Sequence, residues 1–128
     1  MSAAVADYAP KIIAPEKIKK NGESEMTLTL MPNPDVAAAL GKMKTENQVF
    51  AGFALETENE FANAQKKLES KNFDFIVLNS LKDRGAGFGY DTNKISIVFR
   101  NGNTENFDLK PKTEVAKDIA QCLLQLLK

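Results

Sequence analysis

The strongest constraint on the fold is the succession of an apolar run, an amphipathic segment and a second apolar run. Residues 48–55 and 73–78 are apolar and predict two strands that are buried on both faces. Between them, residues 60–70 place Phe61 and Leu68 on one side of a helix. A strand, a helix and a strand in this order predict a βαβ unit with parallel strands and a right-handed crossover.

The carboxy-terminal third predicts a hairpin and a last helix. Residues 95–100 and 105–109 flank Asn101-Gly102-Asn103, which is a signal for an antiparallel hairpin. Thr113 is expected to cap a helix whose Val115, Ile119, Cys122, Leu123 and Leu126 face the core. The whole pattern predicts an α/β fold in three layers around a mixed sheet, formed as one domain by the 128 residues. Ligands of such sheets bind beyond the carboxyl ends of the parallel strands, here after Leu55 and Leu78.

The residues before this unit are harder to interpret. Residues 2–6 are small and apolar and predict the end of a buried strand, and residues 26–31 alternate apolar residues with threonine and predict another strand. Asn33-Pro34-Asp35 predicts a helix start, with Asn33 as the cap and Pro34 at the first helical position. The helix is expected to fade near Gly41.

Composition argues against several classes of partner. Seventeen basic residues balance seventeen acidic ones, so the chain has no overall field that would attract nucleic acid or an anionic membrane. It contains no histidine, which removes the commonest metal ligand and the usual general base. The single cysteine, Cys122, lies in an apolar helical run and is interpreted as a small core residue. The amino terminus lacks the pattern of a signal peptide, so we expect a cytoplasmic protein.

Two groups of lysines are candidates for binding an anionic ligand. Lys17, Lys19 and Lys20 concentrate charge that suits a triphosphate, although a solvated run that protects a sheet edge is the more common reason for such a pattern. Lys67 and Lys71 are four residues apart on one helix face and would repel each other unless an anion lay between them; favourable placement at a helix end is the alternative.

Other motifs are weaker on their own. The helix start at residues 33–36 presents backbone N–H groups to an anion, but ordinary capping explains the same residues. Asp7 follows a predicted strand end, where a carboxylate can bind Mg²⁺ or a substrate group. The glycine-rich residues 84–89 have the wrong spacing for a dinucleotide fingerprint, so residues 82–93 are interpreted as a loop.

Several motifs in register resemble the synthetase part of bacterial phosphopantothenoylcysteine synthetases. The resemblance rests on Ala3 to Pro10, Lys17 to Lys20, Asn33 to Asp35, Gly52 to Thr57 and Phe73 to Val77. It implies the carboxy-terminal half of an incomplete Rossmann-like synthetase domain. That family joins 4′-phosphopantothenate to L-cysteine, and its bacterial members use CTP with Mg²⁺ through an acyl-cytidylate, releasing pyrophosphate and then CMP.

The resemblance also implies residue roles and partners. Lys17 is implied to be catalytic, on a loop that closes over the substrates and neutralises the triphosphate. The implied nucleotide contacts are Met1, Ser2, Ala3, Asp7, Lys17, Pro34, Asp35, Val36, Ala37, Phe53, Lys67 and Lys71. No residue is implied to bind a metal directly, and FMN is expected only in a decarboxylase domain outside this chain. A homodimer is expected, with no nucleic acid and no membrane as partners.

Two departures from the family pattern limit these expectations. Leu78-Asn79-Ser80 stands where the family usually has Ala-Asn-Asp, which puts any role of that turn in doubt. The family's amino-terminal half, with its glycine-rich nucleotide loop and an asparagine used in cysteine addition, is absent from the 128 residues. We therefore expect the chain alone to be inactive as a synthetase. The alternative is a non-catalytic nucleotide-binding or dimerisation module.

Overall fold

The computed structural model describes residues 6–19, 22, 25–56, 58–80, 85–86 and 89–127. The chain divides into two compact units, Met1–Val36 and Ala37–Lys128. Residues 2–5 of the predicted first strand lie outside the described residues, as do residues 82–84, 87 and 88 of the predicted glycine-rich loop. In the part of the chain that is described, no helix is long and apolar enough to cross a membrane.

The first unit contains a short antiparallel ribbon. Strand β1 (Tyr8–Pro10) pairs with β2 (Leu30–Pro32), with Ala9 opposite Met31. Beyond the ribbon ends, the Lys11 N–H donates to the Thr29 carbonyl at 2.9 Å. The strand predicted at residues 26–31 is therefore wrong in position, because the observed strand is Leu30–Pro32. A strand extends only as far as it is paired, and its partner β1 is three residues long.

Helix α1 (Val36–Met43) begins later and ends later than predicted. Pro34 precedes the helix, and the Asn33 side-chain amide donates to the Ala6 carbonyl at 2.7 Å, so this side chain is engaged with a backbone group just before β1. The helix continues through Gly41, which is buried. A glycine fits there because a Cβ atom would lie only 2.0 Å from the Lys71 carbonyl oxygen.

The second unit is a four-stranded mixed sheet with the strand order β3-β4-β5-β6. Strand β3 runs parallel to β4, and the other two neighbouring pairs are antiparallel. Helix α2 connects β3 to β4, which confirms the predicted βαβ order and parallel pairing, and β5 and β6 form the predicted hairpin. The elements are β3 (Ala51–Glu56), α2 (Glu60–Ser70), β4 (Phe75–Ser80), β5 (Thr92–Phe99), β6 (Thr104–Pro111) and α3 (Lys112–Leu126).

Two apolar clusters, one on each face of the sheet, confirm the three-layer α/β arrangement. Because side chains alternate along a strand, β4 contributes Ile76 and Leu78 to one cluster and Phe75 and Val77 to the other. Helix α2 covers the first cluster with Ala64 and Leu68, and helix α3 covers the second with Val115 and Cys122. The core interpretation of Cys122 is confirmed, and burial raises the pKa of its thiol.

Three sequence predictions in this unit are corrected. Strand β3 is not buried on both faces: it is an edge strand of this sheet, and Phe53 is 71% exposed. The predicted loop ends before Thr92, because Thr92 and Asn93 already pair with β6. Phe61, expected on the core side of α2, is 51% exposed.

Helix α3 differs from the prediction at both ends. It begins at Lys112 with Pro111 in the cap position, so Thr113 lies inside the first turn and does not cap the helix. At the other end, Leu126, which was expected on the core face, is 44% exposed.

Candidate functional site

Three candidate residues of the first unit, Asp7, Pro34 and Asp35, lie where the ribbon leads into α1. The Asp7 carbonyl accepts the Asn33 N–H at 2.8 Å, which places Asp7 beside the residues that precede the helix. Pro34 and Asp35 follow directly, and α1 starts at Val36. Backbone N–H groups in the first turn of a helix have no intrahelical partner and favour an anion.

Lys17 lies on an exposed segment between Pro15 and Gly22 that forms no helix or strand in its described residues. Its side chain is exposed, as are those of Ile18 and Lys19. Lys20 lies outside the described residues, as do Met1, Ser2 and Ala3. An exposed lysine suits a group that approaches a ligand from solvent.

In the second unit, Phe53 and Lys67 lie on opposite faces of the sheet. Ala54 packs with α2, and alternation along the strand directs Phe53 to the other face. Lys67 projects from α2 over the carboxyl end of β3, where its ammonium group donates to Glu56 Oε1 at 2.5 Å. A ligand that contacts both side chains would therefore have to reach around the exposed edge of β3.

Lys71 lies one turn beyond Lys67 and is the C-terminal cap residue of α2, with its N–H bonded to the Lys67 carbonyl at 3.1 Å. Its own carbonyl packs against Gly41 of α1. The structure thus places the backbone of Lys71 at a close approach of the two helices.

The carboxylate that accompanies Lys67 was not predicted from the sequence. Glu56 receives a hydrogen bond from Asn63 Nδ2 at 3.1 Å in addition to the bond from Lys67. The Lys67 ammonium group, and less strongly the Asn63 amide, hold the pKa of Glu56 below its ordinary value despite an opposing contribution from burial. Asn63 and Lys67 are four residues apart, so a search for an acid at the end of the preceding strand could have found this cluster.

An open cavity of about 580 Å³ lies at the carboxyl end of β4 and the start of α2. Leu78-Asn79-Ser80 belongs to strand β4 and is not a turn, so the departure from the family pattern lies at the end of a strand. The Ser80 hydroxyl donates to Glu60 Oε1 at 2.7 Å on the cavity wall. The cavity lining comprises Asn59, Glu60, Phe61, Leu78, Ser80, Lys94, Ile95, Ser96, Asn106 and Phe107.

Among the described residues, no group of three or more acidic, cysteine or histidine side chains could hold a metal ion. Asp7 is therefore not part of a carboxylate cluster there.

An open mixed sheet with helices on both faces, and a polar cluster at the carboxyl end of a parallel strand, defines the class of α/β domains that bind ligands at that edge. Comparison with known proteins then identifies the family. The chain belongs to the family described as the DNA/pantothenate metabolism flavoprotein C-terminal domain, whose model it matches over residues 1–127.

The relatives and solved structures agree with this assignment. The chain is 42% identical over 127 residues to the coenzyme A biosynthesis bifunctional protein CoaBC of Bacillus subtilis (strain 168). This alignment covers 99% of this chain and 31% of that protein. It is 53% identical over 127 residues to a protein named cysteine/cysteine sulfinic acid decarboxylase from an unknown prokaryotic organism, covering 99% of this chain and 35% of that one. The crystal structure of a CoaBC C-terminal domain matches with a TM-score of 0.70 and 37% identity over 98% of this chain and 54% of that one.

The chain spans about a third of the length of these two relatives. A structure of a Cab2 mutant in complex with phosphopantothenate-cysteine shares the fold, with a TM-score of 0.61 and 20% identity, over 92% of this chain and 41% of that one. The comparisons thus confirm the resemblance to the synthetase part of the coenzyme A biosynthesis proteins.

Proposed function

We propose that this chain supplies the carboxy-terminal half of a ligase that joins 4′-phosphopantothenate to L-cysteine at the expense of CTP. The observation that carries the proposal is the match to the CoaBC C-terminal domain structure over 98% of the chain at 37% identity. In the proposed reaction the carboxylate of phosphopantothenate attacks the α-phosphorus of CTP, and pyrophosphate leaves. The cysteine amine then attacks the acyl carbon and releases CMP.

Lys17 is the proposed catalytic residue. Charge develops on the pyrophosphate as it leaves, and an ammonium group placed there stabilises the transition state more than the bound substrate. The exposed segment around Lys17 is compatible with a group that closes over a bound nucleotide.

The proposed nucleotide contacts have complementary chemistry. The N–H groups of Val36 and Ala37, at the start of α1, offer donors to an anion, and Lys67 offers a partly exposed cation. Phe53 offers an exposed ring that can stack on a pyrimidine. Mg²⁺ is proposed to enter as the complex with CTP, with the phosphates as its principal ligands.

Thermal protection by nucleotide tests the binding part of this proposal. We expect CTP with Mg²⁺ to raise the melting temperature of the 128-residue chain, because a ligand that binds only the folded state stabilises it by mass action. ATP with Mg²⁺ at the same concentration is the matched control and is expected to give a much smaller shift. Equal shifts, or no shift with either nucleotide, would instead support a non-catalytic or dimerisation module.

The decarboxylase name of the 53% identical relative describes a protein of which this chain covers 35%. We therefore propose that any decarboxylase activity, and any FMN, belongs to sequence outside the family domain matched here. The proposed homodimer and the two substrates other than CTP remain predictions from the family resemblance.

A further inference from the structure

We propose that Glu56 is a positioning residue that orients the Lys67 ammonium group for the nucleotide phosphates. The inference depends on the proposed function, because it assumes that Lys67 contacts a nucleotide. Its starting point is the cluster in which Lys67 and Asn63, both on α2, donate hydrogen bonds to the carboxylate at the end of β3.

The carboxylate is held more firmly than the lysine that it binds. The Glu56 side chain is 13% exposed, whereas that of Lys67 is 40% exposed. Asn63 bonds Glu56 Oε2 at 3.1 Å and the Glu58 carbonyl at 3.0 Å, so one amide links the side chain to the backbone that follows β3. Glu56 is thus a mostly buried acceptor that two side-chain donors hold at the end of β3.

The bond to this acceptor fixes the direction of a flexible cation. A lysine side chain has four rotatable bonds, and ordering it on ligand binding costs conformational entropy unless it is already held in place. An ammonium group carries three N–H donors, so the bond to Glu56 leaves donors for a phosphate oxygen. The partly exposed Lys67 is therefore oriented before a ligand arrives.

The negative charge of Glu56 also repels a bound anion. This repulsion weakens nucleotide binding, whereas the orientation of Lys67 by Glu56 strengthens it. At a partly exposed site this repulsion is screened by water and salt, whereas the loss of orientation is not. The ordering effect should therefore dominate at physiological salt. Removing the charge should weaken nucleotide binding, although simple electrostatics predicts that it should tighten it.

The test measures the dissociation constant of CTP with Mg²⁺ by titration calorimetry on the 128-residue chain. Glu56→Gln keeps the shape and removes the charge, and we expect it to weaken binding by about 5- to 20-fold. Asn63→Ala leaves both charged groups in place and should weaken binding less, in the same direction. Glu69→Gln removes an exposed carboxylate from α2 about 200° around the helix from Lys67, and it should leave the constant unchanged.

The decisive comparison is made in a Lys67→Met background. If Glu56 acts through Lys67, adding Glu56→Gln to Lys67→Met should cause no further loss. An equal further loss in that background would overturn the inference, as would unchanged or tighter binding by a folded Glu56→Gln chain. Failure of the unmodified chain to bind CTP would overturn the proposed function and this inference together, whereas normal binding with a silent Glu56→Gln overturns only the inference.

Discussion

Two phenylalanines on neighbouring strands show how the same residue type serves different purposes. Phe75 is completely buried in β4 and packs near Phe99, with ring centroids 5.8 Å apart. Phe53, on the edge strand β3, is 71% exposed. Burying an aromatic ring stabilises the fold, so an exposed one contributes little there and remains available to a ligand.

Replacing each ring by alanine should separate binding from stability. Phe53→Ala is expected to change the free energy of unfolding by less than about 1 kcal/mol, because the ring is exposed. It should weaken CTP binding by at least about fivefold through loss of stacking. Denaturant unfolding and titration with CTP and Mg²⁺ measure the two quantities.

Phe75→Ala is the control with the opposite profile. It should lower the free energy of unfolding by about 3–5 kcal/mol through the cavity it leaves in the core. A loss of stability from Phe53→Ala as large as this, or unchanged CTP affinity, would contradict the assigned role of Phe53.

At the residue scale, the sequence predicted buried side chains better than polar contacts. Cys122 and Leu68 were placed in the core by helical spacing, and both are buried. The pairing of Lys67 with Glu56 was not predicted, because it depends on where α2 returns along β3 and the two residues are eleven positions apart. Spacing within one helix could only show that Lys67 and Lys71 share a face.

At the scale of elements, the close packing of α1 on the turn after α2 depends on a single glycine. Asn72 Nδ2 donates to the Gly41 carbonyl at 2.8 Å, and Lys44, just after α1, donates to Asp74 Oδ1 at 2.6 Å. These bonds hold the end of α1 against the turn between α2 and β4. Gly41 allows the approach because it has no Cβ atom to meet the Lys71 carbonyl.

Gly41→Ala is therefore expected to destabilise the chain although alanine favours helix. The helix preference gains about 1 kcal/mol, but forcing a methyl group onto a fixed backbone oxygen costs about 3 kcal/mol, for a net loss of about 2 kcal/mol. Thermal or urea unfolding measures the change.

Ala39→Ser, at an exposed position of the same helix, is the matched control and should change stability by less than about 0.7 kcal/mol. If Gly41→Ala proved as stable as the unmodified chain, the described approach of α1 to Lys71 would be wrong.

The element predictions were accurate where local sequence determines the element and inaccurate where a distant partner strand determines it. The βαβ unit and the hairpin were predicted because hydrophobic spacing and turn residues act locally, and α2 has the predicted bounds. The strand before α1 was misplaced because its bounds are set by a three-residue partner, and no pattern within residues 26–31 contains that information. The burial of β3 was overestimated because its apolar sequence does not show that it lies at the sheet edge.

At the scale of the whole molecule, the residues with proposed roles are distributed over the sequence of both compact units. Lys17 and Asp7 belong to the first unit, and Phe53, Lys67 and Lys71 belong to the second. Local patterns in the sequence do not relate these residues to one another, because solvation or helix capping explains each of them separately. Their common role is a proposal that rests on the family resemblance, whereas the comparisons show the family and the fold.

Transfer of the chain into a characterised relative tests the central claim most directly. Residues 1–127 would replace the matching 127 residues of the Bacillus subtilis CoaBC protein, where the identity is 42%. Formation of phosphopantothenoylcysteine from CTP, 4′-phosphopantothenate and L-cysteine is then measured with Lys17 intact, with Lys17→Gln, and with Lys11→Gln as an exposed lysine control in the same unit. We predict an active chimera that Lys17→Gln slows on the order of 100-fold or more and that Lys11→Gln leaves unchanged. An inactive chimera, or one that is equally active with Lys17→Gln, would contradict the account.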